Sequence, residues 1–134
     1  MTPLTLEDDG YCFACGPKNG SGLRLAFRAE GGKASAEFIP LKSHQGFRDI
    51  VHGGIITAVL DEAMMKALLS RGIFAMTAEI AVRFRSPLRV GDNSVVEAEI
   101  NTVAGRFVEA SAVLRKADEV VAEATAKMLV PGRK

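Results

Sequence analysis

The sequence predicts an α+β fold in which one curled antiparallel β-sheet wraps around a single long helix. Residues 53–69 are the one segment with apolar periodicity and length for a long helix, about 25 Å for 17 residues. After residue 75 the apolar period changes to two, which is typical of strands. Alanine is a weak strand former, yet alanines occupy the apolar phase of those strands, where small side chains would let a helix approach closely. These residues are Ala78, Ala110, Ala112, Ala122, Ala124 and Ala126.

The first third of the chain predicts an irregular arm followed by a hairpin. Residues 1–22 are rich in Gly, Asp, Asn and Pro, which favour turns. Residues 23–29 and 34–39 alternate apolar and polar positions and predict two strands, joined by a turn at 30–33. A loop over 40–51 then leads to the helix.

The remainder predicts four more strands after the helix. Arg71-Gly72 is a helix stop signal. Gly, Asp and Asn mark the connections between the strands that follow. The predicted strands are 76–85, 94–103, 107–116 and 120–130. We expect residues 1–134 to form one domain.

Composition excludes several classes of function. A net charge of +1 provides no basic field for nucleic acid. No apolar run approaches the roughly 18 residues that a membrane span needs. The first residues do not resemble a signal peptide, so we expect a cytoplasmic protein.

The predicted helix over 53–69 carries an acidic residue at a position where burial of a carboxylate would cost free energy. Asp61 lies two turns into an apolar segment, and a carboxylate there must be solvated, paired or used. On a helical wheel it shares a face with Gly54, at the helix start, where free N–H groups and the helix dipole can hold an anion. An anion-stabilising turn and a carboxylate are two parts of an acyl-transfer site.

These residues resemble the acyl-CoA thioesterases of the hotdog fold, and in particular the His-Gly-Gly branch of the PaaI type. The resemblance covers most of the chain, including an arm similar to the opening of one subset. The matching segments are Cys12-Phe-Ala-Cys15-Gly-Pro-Lys-Asn19 with Gly22-Leu23, Gln45-Gly46-Phe47, Val51-His52-Gly53-Gly54, Asp61-Glu62-Ala63, Thr77 through Val82, Phe84, Pro87 and Gly91-Asp92.

The resemblance implies hydrolysis of an acyl-CoA thioester. It assigns Gly53 as the backbone donor to the thioester carbonyl, Asp61 as general base or nucleophile, and Thr77 as a residue that positions water. Coenzyme A enters as part of the substrate, and no separate cofactor is implied. Asp49 departs from the pattern, because many relatives have Gly or another small residue there. The polar loop residue that some relatives use against the carbonyl has no clear match, and Gln45 is the neighbouring candidate.

The spacing along the helix predicts a shared site. Gly53 and Asp61 are eight residues apart, about 12 Å along the axis, so one thioester carbon cannot contact both. Two helices related by a two-fold axis would bring the turn of one subunit to the carboxylate of the other. We therefore expect a homodimer with two interface sites, or a dimer of dimers.

Other side chains have weaker signals. We expect the ring of His52 to bond backbone groups of the preceding loop and shape the turn, with direct proton transfer as the alternative. Arg83 and Arg85 lie on the predicted face of Thr77, where they would bind the phosphates of coenzyme A or form a charged surface. We expect the Met64-Met65 pair to pack the dimer contact or line an acyl tunnel rather than bind a metal. The predicted substrate-binding set is Gln45, Gly54, Met65, Arg83 and Arg85.

No metal site is predicted. Cys12 and Cys15 form one Cys-x-x-Cys pair, and a structural zinc site needs four ligands. Glu62 is expected to be solvated or ion-paired, and His44 to be a loop residue.

The alternative functions are a non-catalytic acyl-CoA binding domain and a hotdog dehydratase or hydratase.

Overall fold

A computed structural model describes residues 4–132 and contains the predicted single helix and six strands. A 3₁₀ turn at Lys42–His44 interrupts the loop before the helix. Residues 4–22 of the predicted arm form turns without helix or strand, and its first three residues lie outside the described part. The elements are β1 (Arg28–Glu30), β2 (Lys33–Phe38), α1 (Gly53–Leu69), β3 (Met76–Phe84), β4 (Ser94–Ala104), β5 (Phe107–Lys116) and β6 (Glu119–Leu129).

All neighbouring strands pair antiparallel in one sheet, in the order β1-β2-β4-β5-β6-β3. The sheet curls around α1, whose largest fully buried side chains are Leu60, Met64 and Leu68. Five of the six predicted alanines are buried opposite this helix, as their small size predicts. They are Ala110, Ala112, Ala122, Ala124 and Ala126. The predicted architecture is therefore confirmed.

The strand predicted over residues 23–29 was wrong for most of its length, because β1 forms only at Arg28–Glu30. The N–H of Leu23 donates to the carbonyl of Phe13, and the N–H of Leu25 donates to that of Ala14. Arg24, between them, has a positive φ of 52° that interrupts an extended strand. The arm thus takes the backbone groups that a longer β1 would use.

The other strands begin and end within one residue of the predicted bounds. The hairpin turn between β1 and β2 places Gly31 at φ 60° and Gly32 at φ 86°, which glycine adopts without steric cost. Among residues 4–132, no helix has the length and hydropathy needed to cross a membrane.

Candidate active site

Asp61 and Thr77 meet within one chain. Asp61 is half-buried on α1, and the hydroxyl of Thr77 on β3 donates to its Oδ1 at 2.5 Å. The same hydroxyl lies 3.3 Å from the sulfur of Met128, on the neighbouring strand β6. No side chain or backbone group in the described range donates to Asp61 Oδ2, so one carboxylate oxygen has no hydrogen-bond partner. That oxygen can accept a proton or attack a carbon.

A β-bulge explains how Thr77 reaches the helix. The register between β3 and β6 shifts between Thr77 and Glu79, which inserts Ala78 as an extra residue. Thr77 is therefore half-buried like Ile80 and Val82, while Ala78 is exposed. The predicted alternation placed Ala78 at the apolar phase of β3, and it placed Thr77 on the other face, with Arg83 and Arg85. Both predictions were wrong, because one inserted residue reverses the alternation.

The same bulge separates Thr77 from the two arginines that were predicted to share its face. Arg83 and Arg85 are exposed on the side away from α1. Arg85 pairs with Glu123 of β6, with 2.9 Å between Nη2 and Oε1. Within residues 4–132, Arg85 thus has an ion-pair partner and Arg83 has none.

The His-Gly-Gly turn leaves one backbone donor free. His52 is the N-cap of α1, and its Nδ1 accepts the N–H of Gly54 at 2.8 Å. The N–H of Gly53 reaches no acceptor among the residues that the structure describes. Gly53 is exposed, and a Cβ placed there would lie 3.5 Å from the ring of Phe84. Gly53, rather than Gly54, therefore presents the available donor beside an aromatic ring.

His52 shapes this turn as predicted, but by a different contact. Its ring bonds Gly54 at the helix start, and only its backbone N–H donates to the preceding loop, to the carbonyl of His44 at 2.9 Å. Nδ1 of the ring therefore caps the helix by accepting the N–H of Gly54.

The loop before the turn has its own internal bonds. The side-chain oxygen of Gln45 accepts the N–H of Asp49 at 2.9 Å. Asp49 has a φ of 62°, a left-handed conformation that explains why Gly suits this position and why Asp, which tolerates it, can replace Gly. Gln45 therefore orders the loop through its oxygen, and its amide NH₂ remains a donor.

His44 is buried in the same loop, with 8% of its surface exposed. Its Nδ1 accepts the N–H of Leu41 at 2.9 Å, and burial lowers the pKa of the ring. The residue was predicted to lie in a loop, and it stabilises that loop as a neutral imidazole.

A second group of polar side chains lies one residue along the helix from Asp61. Cys12 and Cys15 of the arm contact Glu62, which also pairs with Lys66 at 3.9 Å. Burial, and then the hydrogen bond to Glu62 and its charge, raise the pKa of Cys15 to about 12. Cys15 is therefore a thiol at neutral pH and a poor nucleophile. The cysteine pair is visible in the sequence, but no sequence pattern indicates its contact with Glu62, which lies 47 residues after Cys15.

Met65 lies on the wall of a cleft of about 520 Å³ between the arm and α1. Cys12, Cys15 and Glu62 line the same cleft, together with the exposed ring of Phe74. This side of α1 is therefore open to a ligand rather than filled by core side chains.

The structure thus brings Asp61 and Thr77 together but leaves Gly53 apart from them. Gly53 and Asp61 both lie on α1, eight residues apart, so the two are separated by about 12 Å of helical rise. Each chain presents a carboxylate with its threonine and, two turns away, a free backbone donor.

Comparison with other proteins identifies the family of this chain. Residues 49–123 match the family model of the thioesterase superfamily, and the chain belongs to that family. It is 31% identical over 84 residues to the acyl-coenzyme A thioesterase THEM4 of Mus musculus. That match covers 61% of this chain but only 36% of the length of THEM4.

Solved structures show the same fold. The thioesterase superfamily protein RHA08564 is 21% identical, with a TM-score of 0.84 over 95% of this chain and 68% of that one. The smu.793 protein of Streptococcus mutans, bound to acetyl-CoA, is 18% identical, with a TM-score of 0.76 over 82% of this chain and 90% of that one. The curled sheet around one helix is therefore the hotdog fold.

A thioesterase-like protein of Streptococcus pneumoniae was solved with coenzyme A; it is 15% identical, with a TM-score of 0.77 over 82% of this chain and 90% of that one.

Proposed function

We propose that this protein hydrolyses acyl-CoA thioesters and belongs to the PaaI-type branch of its family. The observation that carries the proposal is the hydrogen bond from Thr77 of β3 to Asp61 of α1. The first N–H of that helix, at Gly53, has no acceptor within residues 4–132. The THEM4 relative and the neighbours that bind acetyl-CoA or coenzyme A support this class of substrate.

The proposed reaction uses these groups as follows. The N–H of Gly53 donates to the thioester carbonyl oxygen and stabilises the oxyanion that develops there. A water attacks the carbonyl carbon while Asp61 takes its proton, and the hydroxyl of Thr77 holds the carboxylate in place. The C–S bond then breaks, the proton passes to the departing thiolate, and the free acid and coenzyme A result.

Asp61 has a second role open to it, as nucleophile. Its carboxylate would then attack the carbonyl, expel coenzyme A thiolate and form a mixed anhydride, which water hydrolyses. A single turnover in water enriched in ¹⁸O detects the nucleophilic route in which water attacks the carboxyl carbon of Asp61, because the label then appears in Asp61. General-base catalysis places the label in the product acid, as does a nucleophilic route in which water attacks the acyl carbon.

The site is proposed to lie between two subunits. The 12 Å of rise between Gly53 and Asp61 requires the turn of one chain to face the carboxylate of another. Strand β3 supports such a pairing, because it is nine residues long at one edge of the sheet and exposes Met76 and Phe84. A dimer of dimers would keep the same site.

The substrate contacts beyond the thioester are proposed from position. Gln45 would donate its amide to the substrate near the carbonyl, while Arg83 and Arg85 would bind phosphates of coenzyme A. Met65 would contact the acyl group in the cleft beside α1. The second glycine of the turn, Gly54, would allow close approach of the substrate without donating its N–H.

Asp61→Asn tests the proposal. Wild-type protein is incubated with a panel of short, medium and aromatic acyl-CoAs, and release of the free thiol is followed. We expect kcat for the best substrate to fall by about 10²- to 10⁴-fold in the variant, the usual contribution of a general base. Asp118→Asn, at the exposed turn before β6, is the matched control and should keep wild-type rates.

Two outcomes would contradict this function. If wild-type protein binds acyl-CoA but hydrolyses no member of the panel, it is a binding domain. If it adds water to an enoyl substrate without releasing thiol, it is a hydratase.

A further inference from the structure

The cluster formed by Cys12, Cys15 and Glu62 has a geometry suited to a metal ion. The Sγ atom of Cys12 lies 3.8 Å from one Glu62 oxygen, and that of Cys15 lies 3.0 Å from the other. One ligand atom from each residue can be chosen so that all lie within 4.8 Å of one another. Around a tetrahedral zinc, with sulfur at about 2.3 Å and oxygen at about 2.0 Å, sulfur and oxygen ligands are roughly 3.5 Å apart. Each sulfur lies within about 0.5 Å of that spacing from one of the two carboxylate oxygens.

The turn that carries the cysteines is held in shape by its own backbone. The N–H of Cys15 donates to Cys12 Sγ at 3.4 Å, and the N–H of Gly16 donates to the carbonyl of Cys12 at 2.8 Å. A Cβ at Gly16 would lie 2.4 Å from the backbone nitrogen of Cys12, so the turn needs glycine there. Because both sulfurs are placed by this turn, little rearrangement is needed to bind an ion.

The surrounding charge also suits a divalent cation. Binding of the ion displaces the protons of both thiols, including that of Cys15 with its raised pKa. The two resulting thiolates and one carboxylate carry three negative charges, and a divalent ion leaves one in excess. Lys66, whose Nζ lies 3.9 Å from Glu62 Oε2, balances that excess. Soft sulfur ligands favour zinc over magnesium or calcium.

We propose that Cys12, Cys15 and Glu62 bind one Zn²⁺ ion, which ties the N-terminal arm to helix α1. The three protein ligands line the cleft of about 520 Å³, from which a water would take the fourth position of the tetrahedron. The ion fastens one wall of this cleft at the residue next to Asp61. Zinc binding at these residues is independent of the proposed hydrolysis.

The sequence predicted no metal site, since it contains no second cysteine pair. The third ligand comes from the middle of α1, 47 residues after Cys15, and only the packing of the arm on the helix brings it into contact.

The site is tested on the full chain, reduced, stripped with a chelator and titrated with Zn²⁺ against a chromogenic competitor. Wild-type protein should bind one ion per chain, and Co²⁺ in its place should give a thiolate charge-transfer band with the intense visible absorption of tetrahedral cobalt. Removing a neighbour of a metal ligand costs about 10- to 100-fold in affinity, so Glu62→Gln, which alters a ligand itself, should cost at least that much. Glu109→Gln, an exposed acid on β5, is the matched control and should bind like wild type.

Three results would overturn the proposal. The first is wild-type protein that binds no stoichiometric Zn²⁺ at micromolar concentration. The second is Glu62→Gln that binds as tightly as wild type, because the carboxylate would then not be a ligand. The third is a purified chain two hydrogens lighter by mass, with Cys12 and Cys15 linked as a disulfide and no recovery of binding after reduction. Circular dichroism of each variant confirms that it is folded, and the wild-type measurement stands even if a variant is not.

Discussion

The division of the active site between two chains can be tested by complementation. The perturbation is a pair of variants, each lacking one half of the site. Asp61→Asn removes the base or nucleophile. Gly53→Pro removes the backbone N–H, and proline suits this position because Gly53 is the first helical residue and His52 before it is extended, with ψ at 133°.

The expected magnitudes follow from the roles of the two groups. Loss of one oxyanion donor costs about 10²- to 10³-fold in kcat, so each homodimer should be nearly inactive. In a heterodimer, the intact Gly53 of one chain faces the intact Asp61 of the other, and the second site lacks both. One of two sites survives, so we expect about half of the wild-type kcat per dimer.

The assay uses co-expressed variants with two different affinity tags, so that sequential purification isolates the heterodimer. Thiol release from the best acyl-CoA is then compared among heterodimer, both homodimers and wild type. Gly53→Ala is the steric control, since its Cβ would make ordinary contact with Phe84 at 3.5 Å and keep the N–H. A heterodimer no more active than the homodimers would refute the shared site. An alanine variant as inactive as the proline variant would refute the role of the N–H.

Three further predictions concern single side chains. Thr77→Val removes a hydrogen bond to a carboxylate, worth about 1.5–3 kcal/mol, so kcat should fall roughly 10- to 100-fold with little change in KM. Thr77→Ser keeps the hydroxyl and should retain most of the wild-type kcat. Equal losses of kcat in both variants would argue against a role for the hydroxyl. Arg83→Ala should raise KM about two- to fivefold without lowering kcat, and it should weaken the dependence of KM on salt concentration. An unchanged KM would exclude a contact between Arg83 and a phosphate of coenzyme A. His44 should make the free energy of unfolding depend on pH, because burial lowers the pKa of its ring in the folded chain. As pH falls, the unfolded chain therefore binds a proton before the folded chain does. Stability should fall as pH drops below about 6.5, until the pKa of the folded state is passed. Urea unfolding of His44→Asn should show a smaller loss between about pH 7.5 and pH 5.5 than wild type, and equal losses would assign the effect to other groups.

The sequence by itself determined the elements whose signal is local. The helix over 53–69 and the long strands after it follow from apolar period, glycine turns and small residues facing a helix, and these features do not depend on partners elsewhere in the chain. The sequence also places Gly53 and Asp61 about 12 Å apart along the helix, too far for both residues of one chain to contact the same thioester carbon.

Tertiary structure decided the features that depend on contacts between distant segments. The bulge at Ala78 turns Thr77 toward Asp61, and no propensity marks it, because the extra residue is defined only by pairing with β6. The short β1 has the same origin, since residues 13 and 14 of the arm take the backbone groups of the predicted longer strand. Glu62 meets the two cysteines for the same reason. In each case one segment competes for, or completes, the bonds of another, and that competition is resolved only when the chain is folded.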